Sequence, residues 1–336
     1  MLTIYLVMSL TLVFLLATSL LFNFLNGLHD SSNIVATPIA SHAMSPRRVL
    51  WLAAAANFVG PFMFGVAVAE TIGTGITNPE NMTMPVIIAA LLSAVIWNVI
   101  TWWLGIPSSS SHALIGGLVG AVVLHAGIDA IESRGLITVI TTLFISPIMG
   151  IALGYLLMHL TLFLARGATP RINQMFRGAQ IFTTAGLALI QGANDAQKTM
   201  ALITLGLLIN GRIPDFTVPL WVIFLSAFTF ALGTAAGGWR LIKTLGYRIY
   251  KIRPVHGFVS QLSGAAIILG AALIGGPVST TQVMSSSIMG AGSAERLSKV
   301  RWLVGYEMVV AWMLTIPMSA VLAGLIYSLA MLIVPQ

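Results

Sequence analysis

The sequence predicts an all-α polytopic membrane protein made of two inverted repeats, on three observations. Of the 336 residues, 57% are hydrophobic and only 7% are charged, whereas a soluble domain carries about 25% charged residues. The basic residues lie in alternate loops, and two polar motifs each occur twice. We expect roughly 10–12 helical membrane segments, about five net crossings per repeat, with broken or re-entrant helices. Residues 1–168 would form the first repeat and residues 169–336 the second.

The apolar stretches supply the candidate helices, since a crossing needs about 18 or more residues. Stretches that approach or exceed this length are 3–26, 49–70, 84–104, 108–127, 136–165, 179–209, 216–238, 254–274, 278–292 and 302–333. The half-polar segment 27–45 follows the first of them. Its Asp, His, Asn and Ser residues predict a re-entrant or broken helix at that point.

The distribution of positive charge predicts the orientation. Of the 16 Lys and Arg, only Arg134, Arg212 and Lys198 lie away from one side of this plan, which leaves 13 in the loops of that side. Such loops face the cytoplasm, so we expect a multi-pass protein of the cell membrane with both termini outside. The net charge of +7 therefore indicates anchoring at a lipid bilayer and not nucleic-acid binding. The absence of cysteine excludes disulfides and thiolate metal sites.

Two motifs recur in the same order, which indicates an internal duplication. Residues 27–33 (GLHDSSN) match residues 192–198 (GANDAQK), and residues 105–112 (GIPSSSSH) match residues 275–282 (GGPVSTTQ). An odd number of crossings per copy makes the repeat inverted. Interrupted segments at matching positions of inverted repeats are typical of secondary transporters, whose substrate site lies near the membrane midplane.

The first motif carries the carboxylates that fall deep in the predicted membrane region, Asp30 and Asp195. A charge there costs at least about 2.5–3.5 kcal/mol, so a functional role is favoured over the alternative that each Asp caps a broken helix. Asn33 and Asn194 stand close to them in sequence. Carboxylate and amide oxygens suit a small hard cation, so Asp30 and Asn33 are a candidate Na⁺ site. The sequence predicts no other metal site and no covalent cofactor.

The second motif predicts helix starts that bind an anion. Pro favours the first turn of a helix, and a helix N-terminus offers free N–H groups to a phosphate or sulfate. The alternative is a Ser-rich turn between helices, which repetition disfavours. The hydroxyls predicted to bind the substrate belong to Ser109, Ser110, Ser111, Ser279, Thr280 and Thr281. Anion donors beside cation ligands indicate cation-coupled anion transport.

Other polar residues of the motifs are candidates for substrate or coupling-ion binding. Lys198 stands where Asn33 stands in the first copy. Its ammonium would replace a bound cation, hold the anion directly, or only neutralise Asp195. His29 and His112 are candidate proton relays because their titration lies near neutrality. Gln282 occupies the position of His112 in the second copy.

These motifs resemble the inorganic phosphate transporter (PiT) family over essentially the whole chain. The residues that carry the resemblance are GLHDSSNIVAT, QGANDAQKT, PSSSSH and PVSTTQ. The resemblance implies inverted repeats, a central phosphate site and a homodimer. It also implies that Asp30, Asn33 and Asp195 are ion and phosphate-site residues, and that residues 109–111 and 279–281 are phosphate ligands.

Three positions depart from the sodium-coupled pattern of that family. His29 precedes Asp30 in place of Asn, Lys198 replaces an Asn, and Gln282 replaces a His. The departures are similar to the prokaryotic low-affinity branch, which uses protons and can carry phosphate together with a divalent metal. The resemblance therefore implies H⁺ or Na⁺ as the coupling ion, with H⁺ favoured.

The function predicted from all this is a phosphate symporter that works by alternating access, and not an enzyme. One alternative is a permease of the same fold for sulfate or another oxyanion, because hydroxyls and helix N-termini do not separate the two anions. Two alternatives come from other classes. A passive anion channel would need no gradient, and an intramembrane aspartyl protease would use Asp30 and Asp195 as a pair that shares a proton.

Overall fold

The computed structural model describes residues 2–75, 77 and 81–333 of the chain. Twelve α-helices make up most of these residues, and the isolated bridge between Thr77 and Ile131 is their one trace of β-structure. The helices are α1 Leu2–Ala40, α2 Pro46–Met63, α3 Ala67–Thr74, α4 Met84–Leu104, α5 Ser110–Ala126, α6 Ser133–Leu164, α7 Ile172–Ile209, α8 Leu220–Ala236, α9 Trp239–Lys243, α10 Pro254–Leu273, α11 Thr280–Glu295 and α12 Trp302–Ile333.

The helices confirm the predicted class, an all-α polytopic membrane protein. Among the described residues, five helices are long and apolar enough to span a bilayer: α1, α4, α6, α10 and α12. Two bent pairs raise the number to seven if each counts as one span. The 38-residue helix α7 is long enough, but its centre is buried and polar. The total of ten net crossings stays a prediction.

The expectation of a re-entrant or broken helix over residues 27–45 is wrong. Helix α1 continues without interruption through these residues to Ala40. Its polar side chains are almost wholly buried, and Ser31 and Ser32 each bond a carbonyl three residues earlier. The polar segment stays helical because neighbouring helices, and not lipid, surround it.

The breaks lie instead inside the predicted spans 49–70 and 216–238. Helices α2 and α3 meet at 76°, and α8 meets the α9 segment at 59°. A glycine with positive φ stands at each break, Gly65 at 75° and Gly237 at 74°. Only glycine adopts that conformation without a steric cost, so both spans bend at corresponding places.

The two halves of the chain pack against each other through reciprocal contacts, in which a helix of one half contacts the other half in the same way as its counterpart does. Gly27 of α1 lies against the backbone of Phe230 in α8, and Gly192 of α7 lies against the backbone of Asn57 in α2. Likewise α5 packs mainly on α12, and α11 mainly on α6. Each half therefore completes the core of the other, and the central polar residues lie where the halves meet.

Helices α1 and α7 carry the first motif and run in opposite directions. The last residue of α1, Ala40, lines the same cavity as Arg177 in the second turn of α7. This arrangement is what two inverted copies would produce. The division into repeats at residues 168 and 169 stays a prediction.

Candidate functional site

The candidate site lies in the C-terminal halves of α1 and α7, between the N-termini of α5 and α11. Asp30, Asp195 and Lys198 are 1%, 0% and 0% exposed. Side chains from both halves of the sequence meet here, within hydrogen-bonding distance of one another. The four elements that carry the repeated motifs thus form one buried cluster.

Asp30 is bound by side chains from three helices. Its Oδ1 accepts hydrogen bonds from the Thr281 hydroxyl at 2.7 Å and from the Asn33 amide at 3.0 Å. Its Oδ2 accepts one from the Ser110 hydroxyl at 3.4 Å. The Asn33 amide also reaches Thr280 at 3.3 Å. No ion-pair partner of Asp30 is found among the residues that the structure describes.

Asp195 has a different environment, because it has a cationic partner on its own helix. The Lys198 Nζ lies 2.5 Å from its Oδ1, one turn further along α7. The Asn194 amide donates to the same oxygen at 3.0 Å, and the Thr280 hydroxyl donates to Oδ2 at 3.0 Å. The two carboxylates and one ammonium give the cluster a formal charge of −1.

The six predicted hydroxyls divide into two groups. Ser110, Thr280 and Thr281 face the aspartates, as described above. Ser109 and Ser279 cap α5 and α11, accepting from the backbone N–H three residues on at 3.2 and 3.3 Å. Ser111 donates to the Val278 carbonyl at 3.1 Å, which links the two motif segments. The helices begin where the Pro-x-Ser pattern predicts.

The remaining candidates lie around this cluster. His112 Nδ1 and the Gln282 amide are 3.4 Å apart, so the equivalent positions of the two copies face each other. The His29 ring lies on another side of α1, with its Nε2 3.4 Å from the Thr101 hydroxyl of α4. His29 is therefore next to Asp30 in sequence but contacts α4.

Three buried glutamines of this region were missed by the sequence analysis. Gln191 donates to the Asp30 carbonyl at 2.9 Å. Gln197 ties the site to the α2–α3 bend, through Gly65 and Ala69. Gln261 of α10 donates to the Ile34 carbonyl at 3.2 Å. The sequence signal that could have identified them is an amide side chain inside an apolar stretch, because burying an amide without a hydrogen bond costs free energy.

The cluster has complementary ligands for an anion and a cation. The N-termini of α5 and α11 offer backbone N–H groups, which suit a phosphate or sulfate. The carboxylates repel a bare anion, but their oxygens suit a proton or a small hard cation. Asp30 has the oxygen ligands without a positive partner, whereas Asp195 already has Lys198. No group of three His, Asp or Glu side chains that would hold a transition metal occurs in the described ranges.

Comparison with known proteins places the chain in a family. Residues 26–170 and 164–323 match the "Phosphate transporter family". The chain is 43% identical over 320 residues to a "Probable low-affinity inorganic phosphate transporter" of Bacillus subtilis (strain 168), covering 94% of this chain and 96% of that protein. A relative of the same description from Rhizobium meliloti (strain 1021) is 42% identical, covering 96% and 97%.

A solved structure has the same fold. It is titled "The sodium-dependent phosphate transporter", and it superposes with a TM-score of 0.88 over 96% of this chain and 100% of its own. At 22% identity this likeness concerns the fold alone. The family match and the extent of the two relatives decide the identity: the chain belongs to the phosphate transporter family.

Proposed function

We propose that this protein transports inorganic phosphate across the cell membrane as a symporter, coupled to H⁺ or Na⁺. The observation that carries the proposal is the meeting of Asp30 and Asp195 with hydroxyls from both motif copies in one buried cluster. Family membership supplies the substrate class. The family match gives no support to an enzymatic function, including the aspartyl protease alternative. Asp195 also has its own ammonium partner, whereas that alternative needs a pair of aspartates that share one proton.

Phosphate would bind between the starts of α5 and α11. In this proposal Ser110, Thr280 and Thr281 contact the anion directly. Ser109, Ser111 and Ser279 hold the two helix starts in place, because their hydroxyls are bound to the backbone. The Lys198 ammonium lies beside Asp195, which Thr280 also contacts, so it would add positive charge to the phosphate site.

The coupling ion would bind at Asp30. An uncompensated carboxylate in the membrane is costly, so a proton or a Na⁺ held with Asn33 would neutralise it. In the second half Lys198 already fills that role, as a permanent cation. Asn194, His112 and Gln282 would assist the coupling site, and His29 would connect it to α4. Phosphate carried together with a divalent metal is compatible with the same residues.

Alternating access would come from the reciprocal packing of the two halves. Because α1 packs on α8 and α7 packs on α2, one set of contacts can loosen while its counterpart tightens. The bends at Gly65 and Gly237 supply hinge positions near each set. The resemblance also implies a homodimer, which light scattering in detergent would test.

The direct experiment is phosphate uptake by the purified protein in liposomes with imposed pH and Na⁺ gradients. We expect uptake that follows one of the gradients and is abolished by Asp30→Asn. Asp129→Asn, in an exposed loop, is the control of equal charge change. Uptake that is indifferent to both gradients would instead support a passive channel.

Sulfate transport is the alternative to exclude. HPO₄²⁻ has a proton to donate to a carboxylate and sulfate has none, so Asp30 and Asp195 favour phosphate. A tenfold excess of sulfate should leave phosphate uptake nearly unchanged. Strong competition by sulfate would contradict the assignment of the substrate.

A further inference from the structure

A basic cavity of about 690 Å³ lies at the end of α1, away from the aspartate cluster. Apart from His42, the acidic or basic side chains that line it among the described residues are all Lys or Arg. No described Asp or Glu lines it. The Lys and Arg residues come from α7 and from the connections that precede α10 and α12. These residues are Arg177, Lys251, Arg253, Lys299 and Arg301.

Most of this positive charge is uncompensated. Arg253 bonds Glu295, which also accepts from the Tyr250 hydroxyl. For the other four basic residues of the cavity, no acidic partner within 4 Å is found in the part of the chain that the structure describes. A cleft lined by one sign of charge focuses its field and concentrates the opposite ion by about 10–10³-fold. The cavity is therefore suited to an anion.

A column of buried polar side chains leads from the cavity toward the central site. Ser41 lines the cavity and bonds Gln180 of α7 at 2.9 Å. Deeper in, Gln261 of α10 bonds Thr184 at 2.9 Å and the Ile34 carbonyl at 3.2 Å. Ile34 directly follows Asn33. Asp30 lies ten positions before Ala40, about 15 Å along α1, and the column reaches Ile34, about 9 Å along that path.

Three of the equivalent positions on the opposite side are apolar. The first motif has an offset of 165 between α1 and α7, and the second motif, which follows α4 and α10, has an offset of 170. These offsets pair Gln180 with Leu15 and Gln261 with Leu91. Both leucines are fully buried in an apolar cluster. Leu15 packs so closely on Gly206, the counterpart of Ser41, that a Cβ there would lie 2.0 Å from it. Thr184 pairs with the buried Ser19, so Ser41, Gln180 and Gln261 are the polar residues of the column that are specific to the basic side.

We propose that the basic cavity is a second phosphate-binding site, at the mouth of the route by which phosphate passes between the basic face and the central site. The proposal rests on the proposed function of the central site. Its ligand chemistry is a phosphate group held by Arg and Lys. An anionic lipid headgroup carries the same chemistry, but the column of Ser41, Gln180 and Gln261 leads inward, which favours free inorganic phosphate.

The test is equilibrium binding of radiolabelled phosphate to the full chain in nanodiscs of phosphatidylcholine alone. We expect two phosphates per chain in the wild type. The double variant Arg177→Gln/Arg301→Gln should lose the weaker site and keep the central one, whereas Asp30→Asn should keep the cavity site. The control Arg134→Gln/Arg212→Gln removes the same charge from the opposite side and should retain both sites.

A transport measurement separates a substrate site from a structural role. In phosphatidylcholine liposomes, the double variant should raise the KM for phosphate at the basic face by about tenfold, the lower end of electrostatic concentration. The kcat should change by less than about twofold.

Two bound phosphates in the double variant would overturn the proposal. An effect confined to membranes with anionic lipid would also overturn it, because the occupant would then be a headgroup. A wild type that binds phosphate in the cavity but not at the central site would refute the proposed function and leave the cavity site standing.

Discussion

At the scale of single residues, the two copies of the aspartate motif differ in how their charge is balanced. Asp195 is paired with Lys198 at 2.5 Å. Asp30 has Asn33 at the equivalent position, together with hydroxyls from α5 and α11. One copy thus has a permanent cation, and in the proposed mechanism the other is where the coupling ion binds.

Replacement of Lys198 tests this interpretation. Lys198→Asn restores the residue type of the first copy and leaves Asp195 without a partner, which a Na⁺ can then supply. We expect a Na⁺ gradient to raise the initial uptake rate by about fivefold or more, the lower end of ordinary coupling between two sites. Lys243→Asn, at an exposed position, should show no such gain. A response to Na⁺ equal to that of the wild type would rule out the role of Lys198 as a cation substitute.

The Thr281 hydroxyl donates the shortest of the hydrogen bonds to Asp30 described above, at 2.7 Å. Thr281→Val keeps the shape and removes the donor, which costs about 1.5–3 kcal/mol when the acceptor is charged. We expect kcat/KM for phosphate to fall by about 10–100-fold. Thr281→Ser keeps the hydroxyl and should retain most of the activity. Equal losses in both variants would indicate that packing, and not the hydroxyl, matters at this position.

At the scale of helices, the close approach of α7 to α2 depends on Gly192. A Cβ at this position would lie 2.3 Å from the Asn57 carbonyl oxygen, which belongs to the backbone and cannot rotate away. Gly192→Ala should therefore destabilise the protein by about 1–3 kcal/mol. Gly186→Ala lies on the same helix in open space and should be neutral or stabilising by up to about 1 kcal/mol. Thermal unfolding in detergent measures both.

The C-terminus of α11 is held by Glu295, at the basic face and outside the spanning segments. Burial by itself would raise the pKa of Glu295, but the Tyr250 hydrogen bond and the Arg253 charge outweigh it and lower that pKa. A carboxyl with a lowered pKa stabilises the fold above its ordinary value of 4.5 and loses that contribution as the pH falls through the lowered value. Burial, followed by the bond to Glu295, raises the pKa of Tyr250.

The measurement for Glu295 is the unfolding temperature as a function of pH. Glu295→Gln should lower it by a constant amount above the ordinary pKa, and the difference from the wild type should shrink as the pH falls below that value. Glu307→Gln is the control, because its pair with Arg248 is 3.8 Å long and more than half exposed. A difference that does not depend on pH would indicate that Glu295 acts through packing alone.

At the scale of the whole molecule, the positive charge marks one face. The cavity brings together Arg177 of α7, Lys251 and Arg253 of the connection before α10, and Lys299 and Arg301 of the connection before α12. That five basic residues assigned to one side line a single cavity indicates that they share one face, because charges on opposite faces could not do so. Which face is cytoplasmic stays a prediction. The basic face would be cytoplasmic, and both termini would lie outside.

The absence of cysteine makes this orientation easy to test. Single cysteines placed at Ile128 and Ala168, both exposed, report on the two faces. We expect a membrane-impermeant thiol reagent to label Ile128→Cys in intact cells and to label Ala168→Cys only after the membrane is opened. The reverse pattern would place the basic cavity outside the cell.

Local sequence was enough to predict the class of the protein and the residues of its central cluster. Hydropathy reports on lipid contact, and the buried aspartates and the Pro-x-Ser starts of α5 and α11 are signals within a few residues of each other. The structure alone decided that α1 runs unbroken through residues 27–40, and that Ser110 faces Asp30 while Ser109 caps its own helix. It also decided where Gln191 and Gln261 bind, and that loops far apart in sequence form one basic cavity. These features depend on which helices become neighbours across the two halves, and side-chain packing over such distances leaves no periodic trace in the chain.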